Sequence, residues 1–224
     1  MNTVRLMNTV KYNEVRLATA KFPMVGFYTA VASHSCTPNS YLCYNERTDS
    51  MDLHLVRQVK EGEEITVSYF QDDYAVPKGV RAQRLQKWNF TCLCICCTTN
   101  TAASDTRRTA IKRLFSHYDQ LNLARMLNNA ELSPHRGRGR VSPGVVDNDL
   151  YDLLDDLRQI VQHMKDEGLY GLAMTWVLAD YAAKLQEAGD LQTRRAVTRE
   201  ALRILEMCLG IFHPDTRALA QVTS

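Results

Sequence analysis

The stretch FTCLCICC (90–97) puts four of the chain's seven cysteines, Cys92, Cys94, Cys96 and Cys97, within eight positions. Cysteines this dense in a chain expected to be intracellular point to a metal rather than a disulfide framework. Cys92-x-Cys94-x-x-Cys97 sets three thiolates on one tight loop, and tetrahedral zinc asks for a fourth ligand. Cys96 is an alternative to Cys97 at this level of reading. Cys43 and Cys208 sit in apolar contexts and read as ordinary core residues.

Upstream of the cysteines the pattern is that of short strands and turns. GEEITVSY (62–69) alternates, with Ile65, Val67 and Tyr69 on one side. SYLCYN (40–45) is rich in strand formers, and MDLHLVRQV (51–59) sets Leu53, Leu55, Arg57 and Val59 on one face at a period of two. Asn45–Ser50 and Glu61-Gly62 are turn chemistry. HSCTPN (34–39) is a turn whose side chains have polar or metal-binding uses. His54 lacks a partner motif and is expected at the surface.

Downstream of residue 100 the period becomes helical. Ile111, Leu114, Phe115, Tyr118 and Leu121 mark one face, and Leu150, Leu153, Leu154, Leu157, Val161 and Met164 a second. A third runs from about Leu169 to Leu185 and includes Leu172 and Trp176, and a fourth holds Val197, Ala201, Leu202, Leu205 and Leu209. Gly168, Gly189-Asp190 and Gly210 stand at helix ends. The last three helices are expected to pack antiparallel through short loops. A flexible, solvated loop is expected near 129–149, where SPHRGRGRVSPG has no apolar period. His213-Pro214 reads as a helix-ending turn.

Composition narrows the classes. The chain has 224 residues, 45% of them hydrophobic, and a net charge of +2. A core is affordable in size, and no general nucleic-acid affinity follows from the charge. No 18-residue apolar run is present, so no membrane span is expected. An intracellular protein, nuclear or cytoplasmic, is the default.

The order HSCTPN, GEEITVSY, then Cys-x-Cys-x-x-Cys resembles the SET domain of lysine methyltransferases, nearest to the SET-and-MYND-related subfamily and its fungal relatives. Residues 34–97 carry the match, with Ser33 where that family has Asn. The resemblance implies an α+β chain: a partial SET β-fold with a zinc-binding post-SET loop over residues 1–100, then a C-terminal α-helical, TPR-like domain over 101–224. Only about thirty residues precede His34, so the reading expects an N-terminally truncated SET unit with no MYND finger.

The resemblance also implies site residues. Tyr69 falls at the catalytic tyrosine, and Cys36 supplies the fourth zinc ligand beside Cys92, Cys94 and Cys97. Asn13, Ser33, His34 and Phe90 would contact S-adenosylmethionine, while Tyr28 and Trp88 would line the lysine channel. The implied activity is S-adenosylmethionine-dependent protein-lysine N-methylation. A catalytically inactive SET remnant, serving as a zinc-stabilised interaction module, is the alternative. The partner in either case is a protein, as substrate or through the helical part.

Overall fold

The computed structural model describes residue 26 and residues 30–70, 75–131 and 147–223, with side chains of the helix ending at 131 described as far as residue 127. Four strands and six α-helices lie within these bounds. The strands are β1 (Ser33–His34), β2 (Ser40–Asn45), β3 (Ser50–Leu55) and β4 (Thr66–Val67). The helices are α1 (Lys78–Leu85), α2 (Thr101–Glu131), α3 (Asn148–Glu167), α4 (Leu172–Glu187), α5 (Leu191–Leu209) and α6 (Pro214–Thr223).

β2 and β3 form an antiparallel hairpin running from Ser40 opposite Leu55 to Asn45 opposite Ser50. Its turn closes through Asp49, at φ 49°, whose carboxylate accepts from the Tyr44 hydroxyl at 2.8 Å. β1 and β4 pair in parallel, Ser33 with Thr66 and His34 with Val67. Asn39, 1% exposed, sews these pieces together. Its Oδ1 accepts from the Thr66 N–H at 2.8 Å, and its Nδ2 donates to the Glu64 carbonyl at 2.8 Å. The Asn of HSCTPN therefore satisfies backbone groups that a two-residue strand cannot satisfy by itself.

The 51–59 segment departs from its expected form. The strand ends at Leu55, and the Val56 N–H turns to the Asn39 carbonyl instead. Period-two alternation holds, yet the face carrying Leu53 and Leu55 is the outer one, 39% and 46% exposed. The opposite face, with Tyr41 and Cys43, packs onto the helical core, and His54 lies against Gly210 at the end of α5. A hairpin with one face covered buries whichever face the helices meet, and that choice is tertiary. In GEEITVSY only Thr66 and Val67 pair as strand, and Val67 is buried while Tyr69 is partly so.

The four expected helical faces are present. Ile111, Leu153, Ile160, Leu178 and Ile204 are 0% exposed at the centre of the larger core, and Cys43, Val56 and Cys208 join them. Trp176 faces outward at 58% exposure. α2 packs on α3, α3 on α4 and α4 on α5. Gly168, at φ +71°, ends α3 and lets the Leu169 N–H reach the Met164 carbonyl at 2.9 Å. Asp147 and Asp190 cap α3 and α5, accepting from the N–H groups of Leu150 and Thr193 at 3.0 Å each.

Three further departures have local causes. α1 lies where strands and turns alone were expected; its buried residues, Arg81 and Leu85, include an arginine that no apolar periodicity marks. His213-Pro214 opens α6 instead of closing a helix, because proline suits the first helical position. The loop expected at 129–149 is shorter at both ends, since α2 continues to Glu131 and α3 begins at Asn148. The remainder of that loop lies outside the described residues.

Candidate metal and aromatic site

Cys36 sits in the turn after β1, fully buried, and meets the loop that follows α1. Its Sγ is 3.9 Å from that of Cys92 and 3.6 Å from that of Cys97. Cys94 and Cys96 lie 3.3 Å apart, sulfur to sulfur. The ligand atoms of Cys36, Cys94, Cys96 and Cys97 all fall within 4.8 Å of one another, and so do those of His34, Cys36 and Cys92. All these cysteines are free thiols. Zinc–sulfur bonds of about 2.3 Å in a tetrahedron set sulfurs about 3.8 Å apart. The Cys36 distances bracket that value, so the donor set fits a divalent soft cation such as zinc.

The loop is built inside out by ordinary apolar rules. Leu93 and Ile95 point to solvent at 78% and 64% exposure, while Cys92, Cys96 and Cys97 are buried. A 3₁₀ turn at Ile95–Cys97, closed by Cys97 N–H donating to the Cys94 carbonyl at 2.8 Å, aims the sulfurs inward. The thiols share protons: hydrogen bonding from Cys36 pushes Cys94 and Cys97 below the ordinary thiol range, and Cys36 itself is pushed up by Cys92 and its other neighbours. Cys43, in contrast, is held up to about 12 by burial and belongs to the larger apolar core, as expected for a core thiol.

Cys96 joins the expected cysteines in the cluster. In the four-cysteine group it stands beside Cys97 and not in its place, while Cys92 belongs to the His34 group. Its signal in sequence was the adjacent Cys-Cys pair.

Next to the sulfurs lies an aromatic cluster. Tyr69 has its ring centroid 5.1 Å from that of His34 and 5.0 Å from that of Trp88. Phe90 is 6.1 Å from both His34 and Tyr69, and Phe70 packs edge-on to His34 at 5.0 Å. Phe70 was not anticipated; it directly follows the strand pattern's tyrosine. The Tyr69 hydroxyl donates to the Ala32 carbonyl at 2.9 Å, and burial raises its pKa. Lys87 lays its ammonium 3.7 Å from the Trp88 ring centre, a cation–π contact. Phe90 remains 38% exposed, leaving ring surface open beside His34.

Four of the expected residues, Tyr69, His34, Trp88 and Phe90, therefore converge. Ser33 neighbours His34 in β1, but its hydroxyl donates to the Glu64 carboxylate. Asn13 and Tyr28 lie outside the described residues.

Residues 8–70 match the family model of the SET domain. That match supports the SET-domain family for this part of the chain, and it ends before the cysteine loop. No curated protein matches the chain. Among the described residues no helix is long and apolar enough to cross a membrane.

Proposed function

We propose that the chain is a SET-type, S-adenosylmethionine-dependent protein-lysine N-methyltransferase of the SET-and-MYND-related, fungal kind. The observation that carries this reading is the convergence of Tyr69, His34, Trp88 and Phe90 next to a thiol cluster suited to zinc, beside a SET-domain match.

The cofactor would supply the activated methyl group, and the protein's task is alignment and desolvation. A lysine amine has a pKa of about 10.4, so an apolar, aromatic channel must favour its neutral form. Trp88 supplies a face that already attracts the ammonium of Lys87. Tyr69 is braced between His34 and Trp88, and its hydroxyl, which donates to the Ala32 carbonyl, keeps its oxygen as an acceptor toward the amine. Phe90 offers the exposed ring on which an adenine would stack. Cys36 and the 92–97 loop hold zinc, which fastens the loop beside the aromatic cluster. The paired helices α3 to α5 form the TPR-like part that receives the protein partner.

Calorimetric titration of S-adenosylmethionine into folded, zinc-loaded protein tests the reading, followed by label transfer to lysine peptides. Heat of binding and transfer are expected; no heat at millimolar cofactor removes the enzyme reading. One observation favours the second reading, a zinc-stabilised interaction module without catalysis. The Ser33 hydroxyl is committed to Glu64 and so is withdrawn from a ligand.

A further inference from the structure

Two arginines, Arg81 from α1 and Arg108 from α2, are 0% exposed and both reach the sulfur cluster. Arg81 directs Nη2 at the Cys97 sulfur at 3.6 Å, and its Nη1 donates to the Val76 carbonyl and lies 3.7 Å from Asp105. Arg108 donates from Nη2 to the Cys36 carbonyl at 2.8 Å, with the Cys96 sulfur 3.9 Å from the same nitrogen. Its Nε reaches Glu167, at the end of α3, at 2.7 Å. Glu167, 4% exposed, also accepts from Arg107 Nε at 2.7 Å and from the Ser104 hydroxyl.

A guanidinium stays charged at any pH a protein meets, so its burial is costly without an opposing charge. Among the described residues Arg81 lies beside Asp105, while Arg107 and Arg108 share the one carboxylate of Glu167. Neutral thiols are weak acceptors and do little to offset the burial of Arg81 and Arg108. Four thiolates around a divalent cation retain two negative charges, and N–H groups aimed at their sulfurs are then charge-assisted donors.

We propose that Arg81 and Arg108 are positioning residues of the metal centre: they neutralise the thiolate cage, and the Arg108–Glu167 pair links metal occupancy to the packing of α2 on α3. The inference rests on the zinc reading above. Outer partners of this type commonly change metal affinity ten- to a hundredfold.

The test measures zinc affinity by chelator competition, and helix melting at 222 nm with and without zinc, in the full chain. Arg81→Met is expected to weaken zinc at least tenfold, with Arg81→Lys recovering part of the loss. Glu167→Gln is expected to shrink the rise in melting temperature that zinc gives. Folded Arg81→Met and Glu167→Gln proteins with wild-type zinc affinity and zinc-dependent melting would overturn the proposal. Should Arg81→Met fail to fold, Arg81→Lys decides by the same criterion. A wild-type chain that takes up no zinc ends the metal reading and this inference together, whereas zinc in the wild type with unaffected variants ends this inference alone.

Discussion

The backbone N–H of Tyr69 donates to Nδ1 of His34 at 3.1 Å, while Nε2 of the same ring lies 3.3 Å from the Cys36 sulfur. Because Nδ1 accepts, the proton of the neutral ring resides on Nε2 and points at sulfur. Burial, partly opposed by Cys94 and Cys97, lowers the His34 pKa to about 4, so the ring is neutral near pH 7. One imidazole thus connects the Tyr69 amide to the Cys36 thiol, and under the zinc proposal it would serve as a donor to the Cys36 ligand.

Replacing His34 tests that assignment. His34→Ala is expected to lower stability by about 1–3 kcal/mol through the unpaired Tyr69 amide while zinc content stays near one per chain. Loss of zinc from a folded His34→Ala protein, measured by atomic emission, would make His34 a ligand instead.

Tyr69→Phe removes only the hydroxyl that donates to the Ala32 carbonyl. Its expected cost in a denaturant melt is about 1 kcal/mol, and under the proposed methyltransferase function, in which that hydroxyl aligns the amine, methyl transfer falls at least a hundredfold. Near-wild-type transfer would move the catalytic role elsewhere.

Cys36 lies in both groups of clustered side chains, Cys92 and Cys96 in one each, so five thiols stand close by for the four places of a tetrahedral zinc. Cys36→Ser is therefore expected to abolish zinc retention through gel filtration, whereas Cys92→Ser and Cys96→Ser each keep a measurable fraction. Equal losses from all three would mean that the spare thiol has no part in the site.

Gly210 ends α5 at φ +82°, and a Cβ there would stand 3.2 Å from His54 Cε1. Both the backbone region and the contact oppose a side chain. Gly210→Ala is expected to cost about 1–3 kcal/mol by chemical denaturation.

Asp147 caps α3 and is paired with Arg125, which together with its cap bond holds its carboxyl below the ordinary range. The folded pKa is the lower one, so the contribution is complete above about pH 4, the unfolded value, and is lost as pH falls through the folded value. Asp147→Ala is expected to cost about 1 kcal/mol near pH 7, and the stability curves of variant and wild type should converge once the pH has fallen below the folded value. A gap that persists in acid would assign the effect to packing.

Much of the architecture was legible because it rests on local signals. The helical faces around Leu153 and Ile204, the glycine at 168 and the clustered cysteines all act within a few residues of chain. The outward face of the β2–β3 hairpin was not legible, because period two names two faces without saying which one α5 covers. Arg81 and Arg108 escaped for a related reason. Arginine reads as surface until the thiols and Glu167, from distant segments, are seen around it. Of the site, the cysteine loop stood out by its clustering, and Tyr69 and Cys36 through the SET resemblance, whereas Phe70 carried no mark beyond its neighbour.

The hairpin has a practical consequence for anyone cutting the chain into pieces for expression. Cys43 and Val56 belong to the same core as Ile204 and Cys208. Residues 101–223 produced alone would bare the α5 surface that Tyr41 and Cys43 cover, an apolar area with nothing to wet it. Solubility of such a fragment would then depend on what it sticks to, including itself.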